Sequence, residues 1–469
     1  MSPPRAKWFE NTRPIDINVY SYRKPFRQFT RQILNEVEDS RSNRRQLLHL
    51  DNSELERHLR WVLVDLFDLW VTHGNRKHGL GVDRNRNKWV MAKRYNALGL
   101  RYQPALRVLD ALEESRLIEV KKGFKDPRSG FGANTKIRSS LRLVRRFREA
   151  NLNRDELDPP TNYETIWLAK TEKVVDPGAF WTNPRRIRTW MDYEETEQTA
   201  KMRQQLANYL HELTRHTIVL SKSGTLSRKD LLKARRIFGY QVAHDFKRGG
   251  RLYWHASWQS LSKRDRSKVL IDNQEVVEAD YRSFQPNIAY ALAGIQPSDP
   301  YEPISLYPQE FPGSTGIGPH WQIGRKFIKR VLNGLFYVRN QRAAIAYITS
   351  LYSHPDLDEE HRQFSELWPT LNTTPTALIK RIIGWREHLL PYLMSDKGMY
   401  LQWIDSEICM SVLEILTNQH IPVLPIHDSF LVKRRDRNHL VSSMFEAFTL
   451  HTKIKISSPS YLINVDSLD

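Results

Sequence analysis

A chain with one cysteine, Cys409, among 469 residues can form no intrachain disulfide and no cysteine cluster for zinc, so packing alone must hold its fold. Apolar residues make up 40% and aromatic residues 11%, enough for cores in roughly two to three domains, which excludes wholesale disorder. The chain has no stretch of about 18 apolar residues, and its opening MSPPRAKWFE lacks the apolar run of a signal peptide. These features predict an intracellular protein with no membrane partner.

Charge divides the chain. The formal net charge is +19, and residues 1–150 carry 32 Lys and Arg against 17 Asp and Glu, a net of +15. The remainder is nearly balanced. A basic excess confined to one third of the chain fits a polyanionic partner held there through phosphates.

Within that third, the dense apolar run Trp61–Val71 is of helical length. A polar, glycine-containing gap, a second helical segment over Lys88–Asn96 and the break Leu98-Gly99-Leu100 follow. Gln103–Ser115 places Leu106, Leu109 and Leu112 at helical spacing, with Pro104 in the first turn. Two strand-like segments, Leu117–Val120 and Ile137–Leu143, flank the basic loop KKGFKDPRSGFGANTK. Helix, turn, helix, strand, basic loop, strand is the order of a winged helix-turn-helix over residues 46–150. Arg101, Tyr102, Gln103 and Arg107 would begin the recognition helix, with Lys121, Lys122, Lys125 and Arg128 on the wing. Residues 1–45 read as a basic N-terminal arm. Residues 151–194, with Pro159-Pro160, Pro177-Gly178 and Pro184, read as a connector with some strand character.

From Glu195 the pattern turns helical. Met202, Leu206, Leu210 and Leu213 form one apolar stripe, and Leu231–Ile237 points to a second helix. Beyond Gly249 strand and helix signals mix, and three segments carry chemistry. In EVVEADYRSFQPNIAYALAG, Val276, Val277 and Ala279 form a strand that delivers Asp280 at its end, where a carboxylate can serve as a metal ligand or as a helix cap. In QIGRKFIKRVLNGLFYV, Arg325, Lys329, Asn333 and Tyr337 recur every four residues and share one helix stripe. Two cations one turn apart suit a triphosphate. Gly334 inside that helix costs about 1 kcal/mol relative to Ala, which points to close approach by another group. In the third segment Ile404, Ile408, Val412 and Ile415 mark a helix, followed by two strands joined at His427-Asp428-Ser429. That turn presents a second carboxylate.

Together these segments resemble the polymerase domain of family A DNA polymerases and the related single-subunit RNA polymerases. Asp280-Tyr281 is similar to their motif A. Arg325, Lys329, Gly334 and Tyr337 match R-x3-K-x4-G-x2-Y of the fingers helix, and His427-Asp428-Ser429 is similar to motif C. Gln402 and the segment Gly250-Arg251-Leu252 occupy the expected order. The resemblance covers residues 195–469 and implies an α+β right-hand fold, with a thumb over about 195–245 and palm and fingers over about 246–469. It further implies two Mg²⁺, or Mn²⁺ in their place, on Asp280 and Asp428. Arg325, Lys329, Tyr337, Gln285 and Asn333 would face a nucleoside triphosphate, and Arg251, Gln402 and His427 would contact a DNA primer and template, or RNA.

Departures from the family pattern leave the sugar open. Gln285 stands where the DNA polymerases usually have glutamate, Ser429 follows the RNA polymerases, and Asn333 replaces a commonly aromatic residue. No exonuclease carboxylate cluster is evident. The expected activity is that of a DNA polymerase or primase-polymerase of a plasmid, phage or mobile element, in a bacterial or phage setting. The alternatives are an RNA polymerase or primase, and a non-catalytic DNA-binding replication initiator. A phosphohydrolase built on His244-Asp245 and His427-Asp428 fits less well, because the second pair reads as a hairpin tip.

Overall fold

The computed structural model describes residues 11–38, 51–74, 78–89, 92–125, 132–174, 185–220, 224–240, 245–254, 258–302, 319–456 and 461–465. Helices and strands mix throughout, giving an α+β protein. Among the described residues no helix is long and apolar enough to cross a membrane.

The N-terminal unit begins earlier than its composition implies. Strand β1 (Asn11–Pro14) and helix α1 (Lys24–Glu38) precede helix α2 (Asn52–His73), strand β2 (His78–Val82), helix α3 (Tyr102–Glu114), strands β3 (Ile118–Lys121) and β4 (Thr135–Ser139), and helix α4 (Leu141–Glu149). Residues 11–38 are therefore no loose arm. β1 pairs in parallel with β2, and Phe26, Phe29 and Ile33 of α1 are buried in one core with α2. Apolar spacing on α1 was hidden by the polar and charged residues between its apolar positions. The core of α2 is buried from Trp61 to Leu69, including Asp65, which accepts two hydrogen bonds from Arg13 at 3.0 and 2.5 Å. The sheet order is β1-β2-β4-β3. Thr135, Ile137 and Ser139 of β4 alternate inward, as a half-buried strand requires. The helix expected over residues 88–96 is instead two single 3₁₀ turns, Arg86–Trp89 and Lys93–Tyr95, a stretch with few apolar residues to bury.

The connector is structured as well. Strands β5 (Ile166–Val174) and β6 (Arg185–Met191) join β8 (Arg235–Gly239) and β9 (Gly249–Tyr253) in a sheet ordered β9-β8-β5-β6. A boundary at residue 194 would cut this sheet. Helix α5 (Glu197–Leu213) opens with a reciprocal cap: the Thr199 amide donates to Thr196 Oγ1 at 3.2 Å, and the Thr196 amide to Thr199 Oγ1 at 2.9 Å. Residues 202–237 form no separate thumb. Leu206, Tyr209, Leu210 and Leu213 join the main core, and the buried Tyr209 hydroxyl donates to the Val423 carbonyl at 2.8 Å. The helix expected over residues 231–237 is confined to Arg228–Leu232, after which inward-alternating Arg236 and Phe238 lie in β8.

The main sheet contains Gly224–Thr225, β7 (Ile218–Leu220), β10 (Leu270–Ile271), β11 (Gln274–Tyr281), β13 (Ser429–Lys433) and β12 (Leu424–Ile426) in that order, with β14 (Ile463–Val465) also paired to β11. Helices α6 (Phe284–Leu292), α7 (Pro319–Leu335), α8 (Gln341–Tyr352), α9 (Glu359–Leu367), α10 (Pro375–Trp385), α11 (Gly398–Asn418) and α12 (Arg437–Thr452) complete this part. One continuous core runs from α5 through the sheet to α12.

Buried charges join the two parts. Lys229 Nζ donates to Asp68 at 2.9 Å and to Asp230 at 3.0 Å, Arg154 bridges the same two carboxylates, and Lys233 donates to Asp16 at 2.6 Å.

Candidate active site

Strand β11 alternates. Ala279 and Tyr281 are buried, and the Tyr281 hydroxyl donates to the Met444 carbonyl on α12, while Glu278 and Asp280 face the other way. β13 runs antiparallel beside it, with Asp280 opposite Ser429, and the Tyr281 amide donates to the Asp428 carbonyl at 3.0 Å. β12 and β13 close with Ile426 opposite Ser429, leaving His427-Asp428 as the two-residue tip. His427 takes φ = 58°, a left-handed conformation that costs a non-glycine residue about 1 kcal/mol or more. Asp280 and Asp428 thus occupy neighbouring strand ends, as the sequence motifs predict. Asn464 Nδ2 on β14 donates to Asp280 Oδ1 at 3.0 Å, a contact no sequence motif announced.

Beyond β11 the chain turns through Ser283, also left-handed at φ = 46°, into α6. Two strained residues beside two carboxylates are typical of a site whose geometry is imposed by its surroundings. A cavity of about 490 Å³ opens here, lined by Asp280, Arg282, Ser283, Asp299, Tyr301, Arg325, Lys329 and Asn464. Arg325 and Lys329 of α7 therefore face the same space as Asp280. Arg325 is held by Asp299 at 2.5 Å, and both cations lie over the Tyr301 ring, each 5.7 Å from its centroid. Asn333 accepts from the Tyr301 hydroxyl at 3.0 Å, so it positions the ring beneath the cations. Asp299 and Tyr301 were missed in the sequence; their signal was a short Asp-Pro-Tyr turn with no apolar period.

Tyr337, one turn further, exchanges hydrogen bonds with Gln285 at 3.0 and 3.2 Å. Its ring lies on Gly398, where a Cβ would stand 2.6 Å from ring atoms. The close approach predicted at Gly334 comes from Tyr347 of α8, whose ring would lie 1.9 Å from a Cβ there.

A second cluster flanks the hairpin tip. Arg251, Asp405 and His427 line one small space, and Arg251 is held by Asp405, with Nε 3.1 Å from one carboxylate oxygen. Gly249 and Gly250, both at positive φ, let β9 lie against α11; a Cβ on Gly249 would be 3.6 Å from Gln402 Oε1. Arg251 and His427 thereby share one space, and Gln402 lies against Gly249 at its side. Burial, then Arg251, pushes His427 below its ordinary pKa, against the pull of Asp428. Asp405 was missed, though a carboxylate inside the apolar stripe of α11 was a legible signal.

Ser429 lies on the same face of the sheet as Glu278 and Asp280 and donates to Glu278 at 2.7 Å, and Glu278 is in turn gripped by Arg266. The positions on the N-terminal unit stand apart from this site. Arg101 is paired with Glu54, Gln103, Lys121 and Lys122 are exposed, and Arg107 is half-buried. The Lys125 side chain and Arg128 lie outside the described residues, as does His244.

Asp280 and Asp428 form an oxygen-only pair. Among the described residues no group of three or more His, Cys, Asp or Glu side chains able to hold a metal ion occurs. Two carboxylates and backbone oxygens, with water in the remaining positions, are a donor set that fits Mg²⁺ better than a metal that needs a full protein cage. No protein-family model matches this chain, and no curated protein matches it in sequence.

Proposed function

We propose that the protein is a template-directed nucleotidyltransferase, a DNA polymerase or primase-polymerase, that adds nucleotides to a 3′-hydroxyl. The observation that carries this reading is the convergence of Asp280, Arg325 and Lys329 on one cleft, with Asp428 on the adjoining strand end. Paired cations one helical turn apart suit a triphosphate, and the place of His427-Asp428 at a hairpin tip counts against a phosphohydrolase, which usually presents such a pair from helices.

Asp280 and Asp428 would hold two Mg²⁺, or Mn²⁺, which when bound supply an activated hydroxyl and neutralise the departing diphosphate. Arg325 and Lys329 bind phosphate oxygens, one as a fork and the other as a point charge. Asp299 keeps Arg325 aimed at the cleft until phosphate replaces it. The Tyr337–Gln285 pair borders the place of the incoming sugar and base, and Arg251, Gln402 and His427 face the primer end.

The N-terminal unit supports a tethering role. Helix α2, helix α3 and the antiparallel strands β3 and β4 support a winged-helix reading, although β2 and two 3₁₀ turns stand where the expected order had a turn and a helix. A duplex held there would raise the local concentration of template at the cleft.

The test supplies purified protein and Mg²⁺ with single-stranded template, with or without a primer, and with dNTPs or rNTPs. Extension from a primer is expected. Synthesis without a primer would establish the primase form, and a preference for rNTPs would favour the RNA polymerase reading, which the neutral Gln285 beside Tyr337 supports. No incorporation under any combination would leave the initiator reading in its place.

A further inference from the structure

We infer that a pocket on the N-terminal unit, distinct from both the cleft and the α3 surface, binds single-stranded nucleic acid. The pocket is about 460 Å³ and lies between α1, the start of α2 and residues 97–98. Its walls include Arg27, Arg31, Arg57 and Arg60 with Tyr20 and Tyr22, and Glu56 is the one acidic residue among those that line it. Arg31 and Arg60 are paired with Glu56 and Arg57 lies 3.9 Å from Glu54, and four guanidiniums against these two carboxylates leave a net positive charge that favours phosphate.

The aromatic pair supplies a second kind of contact. Tyr20 is buried and meets Tyr22 edge-on, with ring centroids 5.0 Å apart, while Arg60 caps Tyr20 at 5.4 Å. Tyr22 is 47% exposed, and its hydroxyl accepts from the Thr161 amide at 3.3 Å. The outer ring is thus held by Tyr20 and at its hydroxyl, with nearly half of the residue exposed. An exposed aromatic ring beside arginines suits an unpaired base and its phosphates. The bases of a duplex are already stacked and can offer no face to Tyr22, so the pocket selects single strands.

The experiment measures binding of the full chain to a fluorophore-labelled unstructured oligodeoxynucleotide and to a labelled duplex, over a salt series. Tyr22→Ala should raise Kd for the single strand about tenfold, and Tyr22→Phe, which keeps the platform, should leave it within about twofold. Arg27→Gln with Arg31→Gln should flatten the single-strand salt slope by about 1.4, the contribution of two phosphate contacts. Duplex affinity should be unchanged in all of them. The inference is overturned if Tyr22→Ala binds single strands as wild type does, or if single-strand and duplex binding fall together. Neither outcome depends on catalytic activity.

Discussion

Asp405 is fully buried on α11 against Arg251, the arginine of the strand that faces the hairpin tip carrying Asp428. The pair is attractive, yet burial outweighs it and pushes the Asp405 carboxyl up to about 6 from 3.8. A folded-state value above the unfolded one means that this group's contribution to stability is full below about 3.8 and lost as pH rises through about 6. Wild type should therefore gain on the order of 3 kcal/mol relative to Asp405→Asn as pH falls from about 7 to about 4. Paired denaturant titrations check this, and a pH-independent difference would show that the carboxyl is ordinary.

Removing that carboxylate altogether strands Arg251. Asp405→Ala should cost about 3–5 kcal/mol at neutral pH, because a mostly buried cation loses its partner. Chemical unfolding measures it. Loss below about 1 kcal/mol would mean that Arg251 re-pairs, with Asp428 as its nearest alternative.

The catalytic assignment makes a sharper demand. Asp280→Asn and Asp428→Asn should each lower primer extension at least about 100-fold while duplex binding by the full chain stays within about twofold. Asp428 is exposed and Asp280 only half-buried, so neither change threatens the fold. Extension at wild-type rate in either variant would remove both residues from the site.

How much of this was legible depended on whether a residue's signal was local. Asp280, Arg325, Lys329 and His427-Asp428 each sit in a short run with its own period, and the structure brings the first three to one cavity. Asp299, Tyr301 and Asn464 reach the cavity from loops and a short final strand, where long-range packing alone decides position. Composition misread α1 because polar and charged residues cover its solvent face, although Phe26, Phe29, Ile33 and Val37 keep helical spacing underneath. The stripe on α5 was read correctly as a helix but not as part of the core, since periodicity gives the face and never the partner.

Gly334 and Gly398 offer a test of packing around the fingers helix. A Cβ at Gly334 would stand 1.9 Å from the Tyr347 ring, so Gly334→Ala should destabilise by about 1–3 kcal/mol. Adding Tyr347→Ala should remove most of that penalty in a double-mutant cycle. Gly398→Ala instead displaces the Tyr337 ring and breaks its exchange with Gln285, so nucleotide KM should rise more than stability falls.

The buried ion network between the two parts predicts their joint behaviour in acid. Asp68 is held below its ordinary pKa: burial opposes this, but Lys229 and Arg154 outweigh it. The same cations bring Asp230 down to about 2 against the cost of burial. Depressed carboxylates contribute stability that is present above their unfolded values near 3.8 and is lost as pH falls through the folded ones. Lys229 is only 3% exposed, so Asp68→Ala leaves it and Arg154 short of a carboxylate, at a cost of about 3–5 kcal/mol. The variant should lose the interface before either core, because Asp68 lies on α2 and its partners Lys229 and Asp230 lie on the short helix Arg228–Leu232. Hydrogen exchange should then show protection falling first at residues 228–232 and around Asp68. Uniform loss across both cores would mean that the two parts unfold as one.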